Sequence, residues 1–117
     1  MNYKIVSNNK DLVFQASNVF TSLSMSEAIH IQEVDFWLID TNTLDKNSIL
    51  SYKNKNEYSN LLFVVNNDEE IQICLQNNFI NYIRVNFSNI ELNSWCKHFI
   101  SLNKSNIINI NKDISLD

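Results

Sequence analysis

The side chains with chemical potential in this chain gather just after short apolar runs. Ser7 and Asn8 follow Tyr3–Val6, and Asp40 closes the run Phe36-Trp37-Leu38-Ile39 that Asp35 opens. Asn66 follows Leu61–Val65, and the stretch Val85-Asn86 ends a run that starts at Tyr82. Asp40 is the most reactive of these. A carboxylate at the end of a buried segment is either a reagent or an acceptor held by neighbouring N–H and O–H groups, and such bonds stabilise its charge where burial alone would not. Other reactive groups offer less. His30 and His98 sit in different helical patterns with no ligand at metal spacing, so no metal site is expected. Cys74 and Cys96 lie in apolar surroundings without a CxxC pair, which predicts buried free thiols in a reducing compartment.

The elements that would position these residues alternate. Strands are predicted at Tyr3–Val6, Val19–Thr21, Asp35–Asp40, Leu61–Val65 and Tyr82–Val85. The runs at 36–39 and 61–65 are apolar on both faces, as in a buried parallel sheet. Helices are expected from Asp11 to about Ser17, capped by Asn8 or Asn9, and from the Ser24–Ser26 region to about Glu33, with Ala28, Ile29 and Ile31 on the buried side. Further helices are expected over about 47–55, from Asp68-Glu69-Glu70 to Asn77, and over about 90–102. Asn78 suits a left-handed cap. Residues 106–117 alternate apolar and polar like an edge strand. The predicted class is therefore α/β: a doubly wound, five-stranded parallel sheet of flavodoxin-like type with helices on both faces. In such sheets the ligand site lies beyond the C-terminal strand ends, where Ser7, Asn8, Asp40, Asn66 and Val85 fall.

Composition narrows the function classes. The chain has 117 residues, enough for one domain with a real core. Its net charge of -4 and its single arginine, Arg84, argue against a stand-alone nucleic-acid binder. Its apolar runs fall far short of a membrane span, and its first residues lack the basic-then-apolar order expected of a secretory signal. It contains no Gly and no Pro, which excludes phosphate-cradling glycine loops and leaves Asn, Asp and Ser to make the turns.

Over about residues 2–103 the chain is similar to the receiver domain of two-component response regulators. NVFTSLSMSEAIHIQEVDFWLID resembles a receiver's second strand, second helix and third strand, ending at the phospho-accepting aspartate, which places the acceptor at Asp40. NNFINYIRVNFS resembles the stretch that leads through the fifth strand, with Tyr82 at the switching aromatic and Phe87 at the family's phenylalanine. Against the family, the first helix reads about two turns short. Receivers hold Mg²⁺ through an acidic pair after the first strand; those places are Ser7 and Asn8. The lysine that neutralises the phosphoryl group is replaced by Val85, and the hydroxyl residue ending the fourth strand by Asn66.

The resemblance thus implies an atypical receiver with a degenerate pocket at Ser7, Asn8, Asn66 and Val85. Phosphoryl transfer depends on positioning and charge neutralisation, and neither the metal-holding acids nor the cation is present. The expected function is a phosphorylation-independent dimerisation or protein-interaction module in signal transduction and transcription regulation, without enzyme activity or cofactor. The expected interaction face carries Glu69, Glu70, Gln72, Arg84 and Lys97. Expected partners are a second copy and, if phosphorylation operates, a histidine kinase; DNA would be reached only through a further domain. The tail 104–117 resembles a linker and the opening strands of a winged-helix effector of the OmpR/PhoB type. The protein is expected in the cytoplasm. Two alternatives stand beside this reading: a working phospho-acceptor at Asp40 that uses Mg²⁺, and an unrelated flavodoxin-like binding domain.

Overall fold

The computed structural model describes residues 1–43, 45, 48 and 60–116. Strand β1 (Asn2–Val6) leads into helix α1 (Lys10–Ser22), then strands β2 (Ser26–Glu27) and β3 (Phe36–Asp40). After these come β4 (Asn60–Val65), α2 (Asp68–Gln76), β5 (Tyr82–Arg84) and α3 (Asn89–Leu116). All five strands are parallel, in the order β2-β1-β3-β4-β5. The predicted doubly wound sheet is therefore present. Apart from Ser48, which is helical, the helix expected over 47–55 lies outside the described residues.

β3 is central and buried along its whole length, and its alternation feeds two cores. Phe36 and Leu38 join Leu62, Val64 and Ile83 beneath α1 and α3. Trp37 and Ile39 join Leu61, Phe63 and Val65 on the other face, which Cys74 of α2 helps to close. The first core is built largely of rings: Tyr3, Phe20, Phe36 and Phe99 form a chain with centroids 4.5 to 5.5 Å apart, a spacing that favours tilted and edge-on aromatic pairs.

Three predicted elements differ from the structure. Val19–Thr21, expected as a strand, is the last part of α1, which is consequently not short. Asn9 starts this helix by accepting from the N–H groups of Asp11 (3.1 Å) and Leu12 (3.2 Å). Leu12, Ala16, Val19 and Phe20 then fall on one buried stripe, so helical period outweighs the β preference of Val and Phe. The helix expected up to Glu33 is replaced by β2 and a 3₁₀ turn at Ile31–Glu33. The amides of Ser26 and Ala28 pair instead with the carbonyls of Met1 and Tyr3, and Ile29 and Ile31 are exposed rather than buried.

The third difference is at the end. Residues 106–116, expected as an edge strand opening a winged helix, continue α3. Ser88 starts that helix by accepting from the Glu91 N–H at 3.1 Å. No Gly or Pro follows to stop it, and Ile100, Ile107 and Ile114 recur at a helical seven-residue spacing.

The absence of glycine has its expected consequence. Ser24, Asn78 and Asn86 adopt left-handed backbone with φ of 61°, 63° and 67°. Asn78 follows α2 at the predicted cap, and the next amide, Phe79, returns to Cys74 O at 2.8 Å.

Candidate functional site

The C-terminal edge of the sheet brings Ser7, Asp40 and Asn66 together as the sequence suggests. β1 delivers Ser7, β3 delivers Asp40 and β4 delivers Asn66, because the three strands are adjacent and parallel. Asp40 is only 4% exposed, yet both its oxygens are occupied. Oδ2 accepts from Ser7 Oγ at 2.8 Å and from Thr43 Oγ1 at 3.4 Å. Oδ1 accepts from the Asn42 N–H at 3.1 Å and from Asn66 Nδ2 at 3.4 Å. An ionised carboxylate has about four lone-pair sites, and four donors meet it here.

These donors are themselves anchored. Ser7 Oγ accepts from the Asn9 N–H at 3.0 Å, and Thr43 Oγ1 accepts from the Asn8 N–H at 2.9 Å. Asn8 thus contributes its backbone to the pocket. Asn66 Nδ2 also reaches Glu70 Oε2 at 3.3 Å, and the Asn66 N–H donates to the same oxygen at 2.6 Å. Thr41 Oγ1 contacts the Glu70 carboxylate and lies 2.8 Å from the Val64 carbonyl. Asn66 therefore bridges two carboxylates through one amide group.

Glu70, expected on the outer face, is half-buried and turned into this network. The signal for it was the spacing Asn67-x-x-Glu70: Asn67 accepts from the Glu70 N–H at 2.9 Å, while the glutamate reaches back to the preceding turn. Sequence reading also missed Thr41, Asn42 and Thr43. A hint lay in Asp40-x-Asn42, since aspartate often accepts from the amide two residues on.

The other proposed positions stand apart. Val85 leaves the sheet after β5, is half-buried against the first core, and donates its N–H to Val65 O at 2.9 Å. Tyr82 packs partly buried on the second core. Glu69, Gln72, Arg84 and Lys97 are exposed. Arg84 Nη2 lies 3.4 Å from Asp68 Oδ1, an ion pair with both side chains largely in water. Both cysteines are free and buried. Burial, and secondarily the charge of Glu70, pushes the Cys74 thiol up to about 11. Burial alone pushes Cys96 up to about 12.

Receivers use Mg²⁺, and this pocket does not fit it. The two positions that would carry the metal-holding acids present a hydroxyl donating to Asp40 and a backbone amide donating to Thr43. The remaining carboxylate oxygens are engaged by N–H and O–H donors, which a cation would have to displace. Among the described residues, no group of three His, Cys, Asp or Glu side chains could hold a metal ion.

No family model matches the chain, and no curated protein matches it significantly. Solved structures do. A response regulator from Thermotoga maritima superposes with a TM-score of 0.66 at 15% identity, covering 86% of this chain and 97% of that one. This chain has a receiver-like fold. A putative pilus assembly-related protein from Burkholderia pseudomallei shares it, with a TM-score of 0.64 at 9% identity, covering 86% of this chain and 90% of that one. The likeness is one of architecture. Among the described residues, no helix is long and apolar enough to cross a membrane.

Proposed function

We propose that this chain is a receiver-like signalling domain that works by protein contact, without phosphorylation and without enzyme activity. The observation that carries this reading is the saturation of Asp40. An acceptor aspartate must present a free oxygen to the incoming phosphorus, with a metal and a cation to neutralise the charge that develops. Here each oxygen accepts two hydrogen bonds, and the lysine position is an aliphatic side chain half-buried in the core. The carboxylate has become part of the scaffold that ties β1, β3 and β4 together.

Contact would then fall on the face made by α2, β5 and α3. Glu69, Gln72, Arg84 and Lys97 are exposed there, with Leu75 and Ile90 as apolar neighbours in sequence. The Arg84–Asp68 pair is exposed enough to exchange for a partner's carboxylate at little cost. A second copy of this chain is the partner this mixture of charges suits best, since acids on α2 can meet Arg84 and Lys97 across a two-fold axis. Within this reading the protein resides in the cytoplasm, needs no cofactor, and reaches DNA only through a separate effector domain. A histidine kinase enters only if Asp40 proves reactive.

Incubation with Mg²⁺ and acetyl phosphate, followed by intact mass measurement, tests the proposal. The expected spectrum is unchanged. A gain of about 80 daltons, the mass of one phosphoryl group, that disappears in Asp40→Asn would restore the working phospho-acceptor.

A further inference from the structure

The sheet has an incomplete edge beside an apolar groove. β1 pairs with β3 from Tyr3 to Val6, whereas its outer neighbour β2 pairs only at Asn2 and Tyr3. The last main-chain bond on that side runs from the Ala28 N–H to Tyr3 O, after which the chain leaves the sheet at the exposed Ile29. The outer main-chain edge of Lys4–Val6 therefore has no strand beside it among the described residues. Unpaired strand edges are templates for a further strand.

A cavity of about 390 Å³ opens at the top of this edge, lined by Ser7, Asn8, Lys10, Val13, Phe14 and Ser17. Gln15, on the opposite flank of α1, bonds Phe87 O and Asn89 Oδ1 and so faces α3. The Lys10–Val13–Ser17 flank consequently looks toward the side that a longer β2 would fill. Phe14, at its rim, is 71% exposed.

We infer that this edge and groove form a docking site for an extended peptide segment of a partner protein, added beside β1 as the missing upper part of β2. The edge sets the occupant's backbone conformation, and the two faces set its side chains. Residues of such a strand alternate between faces. Those on the α1 side would meet Val13 and Phe14 and should be apolar. Those on the opposite side would meet Val6 and Lys4, which share their face with Ile39 and Trp37 through the β1–β3 register. Lys4 there and Lys10 at the groove mouth give positive charge in a chain of net charge -4. The segment that fits alternates apolar with acidic residues and is read by main-chain bonding and alternate side-chain pockets.

The test is a titration of the ¹⁵N-labelled full chain with a capped peptide of alternating valine and aspartate. Saturable amide shifts at Lys4–Ser7 and along Lys10–Ser17 are expected, with slowed exchange of the β1 edge amides. Phe14→Ser should weaken binding about tenfold, the effect of losing part of one buried aromatic contact. N-methylation of every second peptide residue, which removes the amides facing the edge, should abolish it in one of the two registers. Absence of shifts at millimolar peptide, shifts confined to the α2–β5–α3 face, or affinity unchanged by Phe14→Ser would each overturn the inference. A self-associated chain that becomes monomeric in Phe14→Ser and binds no peptide would assign the edge to a second copy and also overturn it.

Discussion

Replacing Asp40 by alanine should destabilise the fold substantially. In a pocket built for phosphoryl transfer, a buried acceptor held among other acids is electrostatically uncomfortable, and removing it relieves repulsion. Here the direct partners of Asp40 are all donors, Ser7, Asn42, Thr43 and Asn66, and Glu70 is linked to it only through the shared Asn66 amide. Hydrogen bonds to a charged group contribute about 1.5–3 kcal/mol each. Two of the four are long at 3.4 Å, and Asn42 can turn to water. The net loss should therefore be nearer the value of one or two good bonds than of four, about 2–4 kcal/mol. For a chain of this size that corresponds to a fall in Tm of roughly 8–16 °C. Asp40→Asn keeps one acceptor oxygen, and the Ser7 and Thr43 hydroxyls can rotate to accept from the new amide, so about 1 kcal/mol is expected. Urea unfolding followed by circular dichroism measures both. An Asp40→Ala protein as stable as the parent, or more stable, would refute the reasoning, because it would mean the carboxylate is tolerated rather than held.

Further outcomes follow from particular residues. Asn78→Gly should stabilise by about 0.5–1 kcal/mol by removing the Cβ at φ 63°, measured by the same unfolding curves. Phe20→Ala should cost about 3–5 kcal/mol, since this fully buried ring touches both Tyr3 and Phe36. Cys74 and Cys96 should resist a thiol reagent at pH 8 in the folded protein and react fully in denaturant. Their folded pKa values, about 11 and about 12, lie above the unfolded value of 9.0. The stability they contribute is thus whole below about pH 9 and declines as pH rises toward their folded values, where the unfolded chain alone carries thiolates. Cys96→Ala should flatten that alkaline decline.

The sheet was legible because its strands are extreme in composition. Phe36–Ile39 and Leu61–Val65 are apolar on both faces, which a parallel, doubly covered sheet demands. Their C-terminal ends, with that of Tyr3–Val6, then located Asp40, Asn66 and Ser7. What misled lay where β-favouring residues serve a helix. Val19 and Phe20 complete the buried stripe of α1, and the isoleucines of 106–116 extend α3. Alternation over a few residues cannot be told from a helical face when several neighbours are Asn or Ser. Glu70 was hidden for a different reason. Three acids in a row look like one solvated first turn, and only the third, at the capping spacing, turns inward to Thr41 and Asn66.

Amide spectra recorded while Mg²⁺ and a beryllium fluoride mimic of the phosphoryl group are added address the pocket most directly. A carboxylate already bonded by Ser7, Asn42, Thr43 and Asn66 should leave the signals of those residues in place throughout the titration. Saturable shifts centred on Asp40 and its neighbours would contradict the account, showing a site that still opens to metal and phosphate.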